Sequence, residues 1–413
     1  MLHESTRTAS LLLLLGLVTG CGESATPKVS AGSRTPTSLH APAAPALNAT
    51  HRDLLDLAFD AVSGMPTNPH AKNRARGQSE VVDTCFEIGQ LELALHYAER
   101  IDNWRKPLAE ATYAAALLDQ GRTEGVESIL ERALASAEQA EGWRKDRIRS
   151  QVAAGLTKMG DGSRASSVAD GLSGSELGPY QRAMASHVPA EDMDTLLAGI
   201  DRQIATGDFE LHRHALQSLI VWIGRFPDDA ESRREMEDRI VDSWSRLPAQ
   251  MRIEFALELA DLALVRSDES RARYWVEQAD GLLHGPSWVP EHRIPLVCSV
   301  AAVRARYGDA GRAEADLKLM ERLYHEQREN IANIYRADAL VPLAVAWHRL
   351  GDGDRAQQVL WFAVEESQEN PNSRPRVDDL ILVCCAMVES DLAPNAQLLN
   401  RMREIAASMG APW

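Results

Sequence analysis

The clearest pattern in the chain is the recurrence of apolar residues at helical spacing, three or four positions apart, over nearly all of residues 50–413. No segment sustains the alternation of apolar and polar residues that is typical of a half-buried strand. The chain is also rich in alanine and leucine, with only 6 phenylalanines and 7 tyrosines among its 413 residues. The pattern predicts an all-α body.

Small residues recur at fixed distances from a repeated turn residue. The turn residues are Gly89, Gly121, Gly160, Ser267, Gly308, Gly351 and Asp391. Five positions later (+5) stand Ala94, Val126, Ala165, Ala272, Ala313, Ala356 and Ala396, and seven positions earlier (−7) stand Val82, Ala114, Ala153, Ala260, Ala301, Ala344 and Cys384. A small residue on each helix of a hairpin lets the two helix axes approach closely. The register therefore predicts repeated units of helix, turn and helix.

The length of the unit predicts the architecture. Where the turns can be followed, they lie 32, 39, 41, 43 and 40 residues apart. Units of about 40 residues that pack only on their neighbours predict an α-solenoid. Between Gly160 and Ser267 the signal fades, and we expect two or three irregular units over residues 161–266, with Gly207 and Gly224 as candidate turns. Aspartates next to the turn should cap the second helix; they are Asp161, Asp268, Asp309 and Asp352.

The small residue before the turn, the turn glycine and the alanine at +5 resemble the tetratricopeptide repeat family, whose period of 34 residues is shorter than the period here. The resemblance implies that the first helix of each unit lines a groove at positions −13, −10, −6 and −3 from the turn. Candidate groove residues are then Glu254, Asp261, Asp338 and His348. We expect a mostly apolar groove with spaced acidic residues, which suits a protein segment bound in extended or helical form.

The first residues carry a different signal. An apolar core of ten residues, from Ala9 to Val18, is half of the ~20 residues that a membrane-spanning helix needs. It ends in Val18-Thr19-Gly20-Cys21, which resembles the lipobox of bacterial lipoproteins. The resemblance implies a signal peptide over residues 1–20 and a lipid attached to Cys21, which would become the first residue of the mature chain.

A tether should connect this anchor to the folded body. The segment after Cys21 is rich in Pro, Ala, Ser and Thr and contains almost no large apolar residue, so it cannot bury enough surface to offset the entropy of ordering. We expect a flexible tether over residues 21–49 and the solenoid over residues 50–413. Gly22 stands where some bacteria use aspartate to retain lipoproteins at the inner membrane, so the resemblance favours the outer membrane of the bacterial cell envelope.

Charge and cysteine usage narrow the function classes. Without residues 1–48, 41 Lys and Arg stand against 58 Asp and Glu, a formal charge of −17, which disfavours nucleic acid as a partner. Four cysteines remain after the anchor, and their positions in the repeat predict free thiols, with Cys85 and Cys384 as small core residues. They are Cys85, Cys298, Cys384 and Cys385.

Few residues suggest chemistry. No phosphate loop, zinc-protease signature or nucleophile elbow is present, so we expect no cofactor, no metal and no catalytic residue. His212 and His214 would point apart on a helix, which argues against a shared metal. Trp288 follows a Gly-Pro-Ser segment in a loop and is a candidate contact for a partner. We expect Trp275, Trp347 and Trp361 to fill the core instead.

These observations lead to one main hypothesis and its alternatives. The chain should be a lipid-anchored scaffold in the cell envelope that binds a protein or peptide partner through its helical groove. The alternative is an extracytoplasmic all-helical enzyme or carbohydrate-binding protein, with a carboxylate pair that sequence alone does not reveal. If the signal peptide is false, the same solenoid would lie in the cytoplasm.

Overall fold

The computed structural model describes residues 46–187, 193–225, 229–284 and 288–413. Within these ranges the chain forms α-helices joined by turns and contains no strand. The predicted signal peptide, Cys21 and all but the end of the predicted tether lie outside the described residues. The helices are α1 Ala49–Ser63, α2 Thr67–Glu87, α3 Leu91–Ala98, α4 Arg105–Asp119, α5 Val126–Ala137, α6 Trp143–Lys158, α7 Gly162–Ala169, α8 Gly178–His187, α9 Met193–Ala205, α10 Phe209–Arg225, α11 Ala230–Trp244, α12 Ala249–Val265, α13 Glu269–His284, α14 Pro290–Arg306, α15 Ala310–Gln327, α16 Asn333–Arg349, α17 Gly353–Ser367, α18 Ser373–Glu389 and α19 Ala396–Ala407.

The helices pack in pairs, as expected of an all-α solenoid. Most even-numbered helices form hairpins with the odd-numbered helices that follow them, most closely for α12 with α13, α14 with α15 and α16 with α17, whereas α9 packs on α10 rather than on α8. All seven predicted turn residues take a positive φ, including the non-glycine residues Ser267 at 58° and Asp391 at 52°. This left-handed conformation ends the first helix of a unit, so the turns lie where the sequence predicts them.

The small-residue register packs as predicted, with one exception. All seven residues at −7 are fully buried, and so are six of the seven at +5. The exception is Ala396, which is exposed. In this unit the second helix begins only at Ala396 and is capped by Asn395, which accepts from the Leu398 amide at 2.8 Å. Leu398, two residues further on, takes the buried position instead.

The predicted aspartate caps form in three of four units. Asp161, Asp268 and Asp352 each accept a hydrogen bond from the backbone N–H three residues later, at 2.9–3.1 Å. Asp309 also precedes its helix but makes no such bond. The caps satisfy N–H groups that the first helical turn leaves unpaired.

The irregular middle contains α8 to α11, in which α9 and α11 both pack on α10. Gly207, a candidate turn, takes a positive φ of 72° between α9 and α10. Gly224, the other candidate, lies inside α10, where a Cβ atom would come within 3.2 Å of Leu262. Gly224 is therefore a close-packing position rather than a turn.

The even-numbered helices form the inner layer. Each even-numbered helix packs on the even-numbered helices that come before and after it in the chain. The odd-numbered helices pack chiefly on even-numbered ones. Helices that touch both neighbours lie at the smaller radius of a curved stack. We therefore call α2, α4, α6, α8, α10, α12, α14, α16 and α18 the inner helices.

The stack closes on itself. The first inner helix, α2, packs against the last one, α18, and α1 packs on both α18 and α19. Gly77 on α2 allows this approach, since a Cβ atom there would lie 2.7 Å from Val62 on α1 and 2.9 Å from Ile381 on α18. The N-terminal helix α1 thus takes the place of an outer helix beside α18, and the nine inner helices form a ring.

A ladder of ion pairs joins successive units on the outside. An arginine four residues after the turn binds a carboxylate on the preceding odd-numbered helix, as Arg164 does with Glu127 at 2.7 Å and Arg355 with Glu321 at 3.1 Å. Arg271 binds Glu237 in the same way. Glu237 is only 2% exposed, so Arg271 supplies hydrogen bonds that solvent does not.

Candidate functional site: the inner face of the ring

The ring encloses a space that we call the lumen. Inner helices packed about 9 Å apart put nine axes on a circle about 26 Å across, and a helix diameter of about 10–12 Å leaves an opening about 15 Å wide. Arg182 on α8 interacts electrostatically with Glu258 on α12, past the intervening α10. Asp261 on α12 and Arg349 on α16 interact in the same way past α14. The lumen is therefore narrow enough for charges on alternate helices to act on one another.

A pair of carboxyl groups meets where the ring closes. Glu87 on α2 hydrogen-bonds to Glu389 on α18, and Glu389 also accepts from the Thr84 hydroxyl at 2.8 Å. Desolvation by the surrounding helices, with the charges of Glu389 and Asp83, raises the pKa of Glu87 to about 7. Near neutral pH the pair can therefore hold one shared proton.

Asp83 lies one helical turn before Glu87 on the same face of α2. Its side chain is exposed to solvent, yet protein surrounds it across the lumen, and this desolvation raises its pKa to about 7. The nearby guanidinium groups of Arg105 and Arg147 act in the opposite direction, and Glu80 adds to the rise.

A second acidic group lies on α12. Desolvation, followed by the charge of Glu254, raises the pKa of Glu258 to about 7. Asp261 forms an ion pair with Arg306 on α14, while desolvation still raises its pKa. The inner face of α12 therefore carries two desolvated carboxyl groups, Glu258 and Asp261.

Three arginines of the lumen have no carboxylate within salt-bridge distance among the described residues. They are Arg105 on α4, Arg182 on α8 and Arg349 on α16. Desolvation lowers the pKa of all three, and a neighbouring arginine lowers it further in each case. Each faces a carboxyl group at longer range, so the lumen holds opposite charges that a polar ligand could bridge.

The candidate groove residues fall on two inner helices. Glu254, which accepts from Gln250 at 3.0 Å, and Asp261 lie on α12. Asp338 and His348 lie on α16, half-buried and ten residues apart, which is about 15 Å along the helix axis. The structure brings Asp261 together with Arg306 and Arg349, and it does not bring Asp338 and His348 together.

The predicted apolar lining at position −10 is wrong. Leu257, Cys298, Val341 and Ile381 are at most 9% exposed. They pack between neighbouring inner helices because the helices of a closed ring approach closely on both sides. The lining at −13 and −6 instead includes half-exposed charged residues such as Glu254 and Asp261.

Trp288 lies just before α14, half-buried and packed against the hydrophobic cluster of α9 to α14. Its indole N–H has no hydrogen-bond partner in the described part of the chain. Trp275 and Trp347 are buried, and Trp361 is half-buried against the core, in agreement with the expected core role. His212 and His214 are also buried, and within the described ranges no three His, Cys, Asp or Glu residues are grouped as a metal ion would need.

The four cysteines after the predicted anchor are buried free thiols, as the repeat register predicts. Desolvation raises the pKa of the Cys85 thiol to about 12. Buried, protonated thiols of this kind are inert packing residues.

Sequence reasoning missed the residues two positions before the turn. Glu87, Arg306, Arg349 and Glu389 all occupy position −2 and are all exposed. The signal was present in the register, since this position is charged in six of the seven units, with Val265 as the exception. Their meeting in one lumen depends on ring closure, which no local pattern indicates.

In the described part of the chain, the surface carries two further concavities. An open one of about 770 Å³ lies between α7 and α8 and is lined by Ser166, Asp170 and Tyr180. A cavity of about 80 Å³ between α5, α6 and α7 is lined by Leu130, Leu134 and Val168 and has room for little more than water. None of the helices in the described segments combines the length and the apolar character that crossing a bilayer requires.

Comparison with known proteins gave no relative. No protein-family model matches the chain, and no curated protein is similar to it.

Proposed function

We propose that this protein is a lipid-anchored protein of the bacterial cell envelope that holds a segment of a protein partner in its lumen. The observation that carries the proposal is the closed ring of inner helices. At ordinary helix spacing such a ring leaves an opening about 15 Å wide, which fits one α-helix of about 10–12 Å diameter or an extended chain. The separated charges of Arg182 and Glu258 would gain partners from such a segment. Polar groups placed around a guest in this way favour orientation and specificity.

The anchor is part of the proposal and rests on sequence. Val18-Thr19-Gly20-Cys21 resembles a lipobox, and the Pro-, Ala-, Ser- and Thr-rich residues after it would span the distance from the membrane to α1. Multiple acyl chains on Cys21 would bind membrane far more firmly than one chain. The residue after it, Gly22, favours the outer membrane.

A photo-cross-linking amino acid in intact cells tests the binding site. One variant carries it at Val345, which lies at position −6 of the inner helix α16 and is half-buried. The control carries it at Leu319, which is 46% exposed on the outer helix α15. We expect one defined adduct from Val345 and none from Leu319. Equal labelling from both positions, or adducts from Leu319 alone, would reject the lumen as the binding site.

The alternative function, an enzyme or carbohydrate-binding protein, has one observation in its favour. The Glu87–Glu389 pair combines a raised pKa with a position in the lumen. Glycosidases, however, keep their two carboxyl groups at least about 5 Å apart, whereas these two are hydrogen-bonded to each other. The geometry therefore favours binding. Release of reducing ends from cell-wall glycan by the wild type, abolished in Glu389→Gln, would reverse that preference.

A further inference from the structure

Three guanidinium groups from α2, α4 and α6 lie close enough to act on one another. Arg76, Arg105 and Arg147 come from these three neighbouring inner helices, and Arg105 interacts electrostatically with both of the others. All three remain accessible, with 41% of the Arg76 side chain and 38% of the Arg147 side chain exposed and Arg105 half-exposed. We call these three residues the arginine arc.

Two tryptophans hold Arg105 and Arg147 in place. Trp104 and Trp143 pack edge to face, with ring centroids 5.1 Å apart. The Arg105 guanidinium lies 4.7 Å from the Trp104 ring centroid, and that of Arg147 lies 5.1 Å from the Trp143 centroid. A guanidinium stacked on an indole keeps its planar donors free and loses little further entropy when it binds.

Two arginines of the arc form ion pairs, and Arg105 does not. Arg76 donates to Asp378 at 3.0 Å and lies 3.7 Å from Glu80, and Arg147 donates to Glu176 at 2.8 Å. Arg105 has no carboxylate within salt-bridge distance in the described ranges. Desolvation and the charges of Arg147 and Arg76 lower its pKa, although Asp83 and Glu80 act in the opposite direction at longer range. Like charges kept together in a desolvated site, with their donors exposed, are arranged for an anion.

We propose that the arginine arc binds an oxyanion, a carboxylate or phosphate group, on the ligand that occupies the lumen. The inference rests on the proposed function and names the group that the lumen recognises. An oxyanion between Arg105 and Arg147 would accept charge-assisted hydrogen bonds from both guanidinium groups. Asp83 faces the same arginines and can carry a proton near neutral pH, so it would donate to the oxyanion rather than repel it.

Calorimetric titration of the full-length protein in a non-ionic detergent tests this site without the partner. The probes are inorganic phosphate and tetraglutamate, and the test variant is Arg105→Gln. The matched control is Arg144→Gln, because Arg144 also stacks on Trp143, at 4.9 Å, but is not among the charges that act on Arg105. We expect both probes to bind the wild type. Their affinity for Arg105→Gln should be at least tenfold lower, and their affinity for Arg144→Gln should stay within twofold of the wild-type value.

Other outcomes would overturn the assignment. No binding of either probe by the wild type rejects the site, and an equal loss in both variants shows only general attraction of anions. Binding to anionic phosphatidylglycerol vesicles, without binding of phosphate or tetraglutamate, would place the arc at a membrane surface instead. Preference for phosphate over tetraglutamate, or the reverse, supports the site and identifies the source of the oxyanion.

The result can be separated from that of the cross-linking experiment. If phosphate binds through Arg105 but Val345 captures no partner, the oxyanion site stands and the proposed protein partner fails. If Val345 captures a partner whose binding Arg105→Gln leaves unchanged, the arc does not recognise it. Thermal melting of Arg105→Gln at the wild-type temperature checks that the variant is folded.

Discussion

Arg76 on the first inner helix donates a hydrogen bond to Asp378 on the last inner helix at 3.0 Å, across 302 residues of sequence. Beside it, Arg403 on α19 binds Asp53 on α1 at 3.3 Å. The two ends of the solenoid therefore meet, and α1 completes the outer layer next to α18. A solenoid with free ends exposes a hydrophobic face at each terminus, and here the two faces cover each other.

The small-residue register makes the first prediction. Ala344→Leu inserts three carbon atoms between α16 and its neighbours, at a fully buried position. Overpacking of this kind should lower the free energy of unfolding by ~1–3 kcal/mol. Ala396→Leu is the control. Ala396 is a register residue at +5, but it is exposed, so the substitution should change the free energy of unfolding by no more than ~0.5 kcal/mol. Urea unfolding measures both; equal effects would contradict the register.

Ring closure makes the second prediction. Gly77→Ala places a Cβ atom 2.7 Å from Val62 and 2.9 Å from Ile381, so these side chains, or the helices α1 and α18 that carry them, must shift. We expect a loss of ~1–3 kcal/mol and a larger radius of gyration in solution scattering. Gly281→Ala on α13 is the control, since nothing lies within 4 Å of its Cβ position. It should raise stability by ~0.5–1 kcal/mol and leave the radius unchanged.

Much of this fold follows from local sequence. The turn at Gly351, the cap by Asp352 and the buried Ala344 depend on residues within one hairpin, so a repeated pattern predicts them. Ala396 departs from the pattern because Pro394 and Asn395 delay the start of α19, and that delay could have been read from the sequence. Closure could not, because each unit specifies only its packing on the next one, and the small rotations that bring α18 back to α2 add up over nine units.

The inner face was predicted less well for the same reason. Glu254 and Asp261 are half-exposed on the inner helix α12, whereas the −10 residues expected beside them are buried. A groove in an open solenoid and a lumen in a closed ring expose different positions of the same helix. Glu87 and Glu389 become a pair only because their helices meet at the closure.

The carboxyl groups of the lumen make stability depend on pH. The pKa of Glu87 is raised from an ordinary value of 4.5 to about 7, so the folded state binds more protons than the unfolded state between these values. The resulting stabilisation is complete below pH 4.5 and is lost as pH rises through about 7. Desolvation is the largest cause of the raised pKa, followed by the charges of Glu389 and Asp83.

Urea unfolding at pH 5 and pH 8 measures this loss. The loss between the two pH values should be smaller in Glu87→Gln than in the wild type, because the amide does not titrate. Glu124→Gln, at an exposed position before α5, should keep the wild-type difference. If Glu87→Gln loses as much stability between pH 5 and pH 8 as the wild type does, the pair does not share a proton.

The lipobox makes a prediction in cells. Replacing Cys21 with Ser removes the thiol that would carry the lipid, so labelled fatty acid should no longer enter the protein, and the chain should leave the membrane fraction. Cys85→Ser is the control, because Cys85 is a buried thiol of the folded body and should leave labelling intact. Fatty-acid incorporation into the Cys21→Ser protein would exclude the lipoprotein assignment.

The most direct test of the account is the distance between the two ends of the solenoid. Spin labels on cysteines placed at Asp53 and Arg403, which are 56% and 51% exposed, report it by pulsed electron resonance, while the native thiols of the folded body are buried. A closed ring predicts a single narrow distribution below about 25 Å, since the two side chains form an ion pair and labels add roughly 5–10 Å each, on the scale of long side chains. A broad distribution centred beyond about 40 Å, several helix diameters, would show an open solenoid and contradict the lumen.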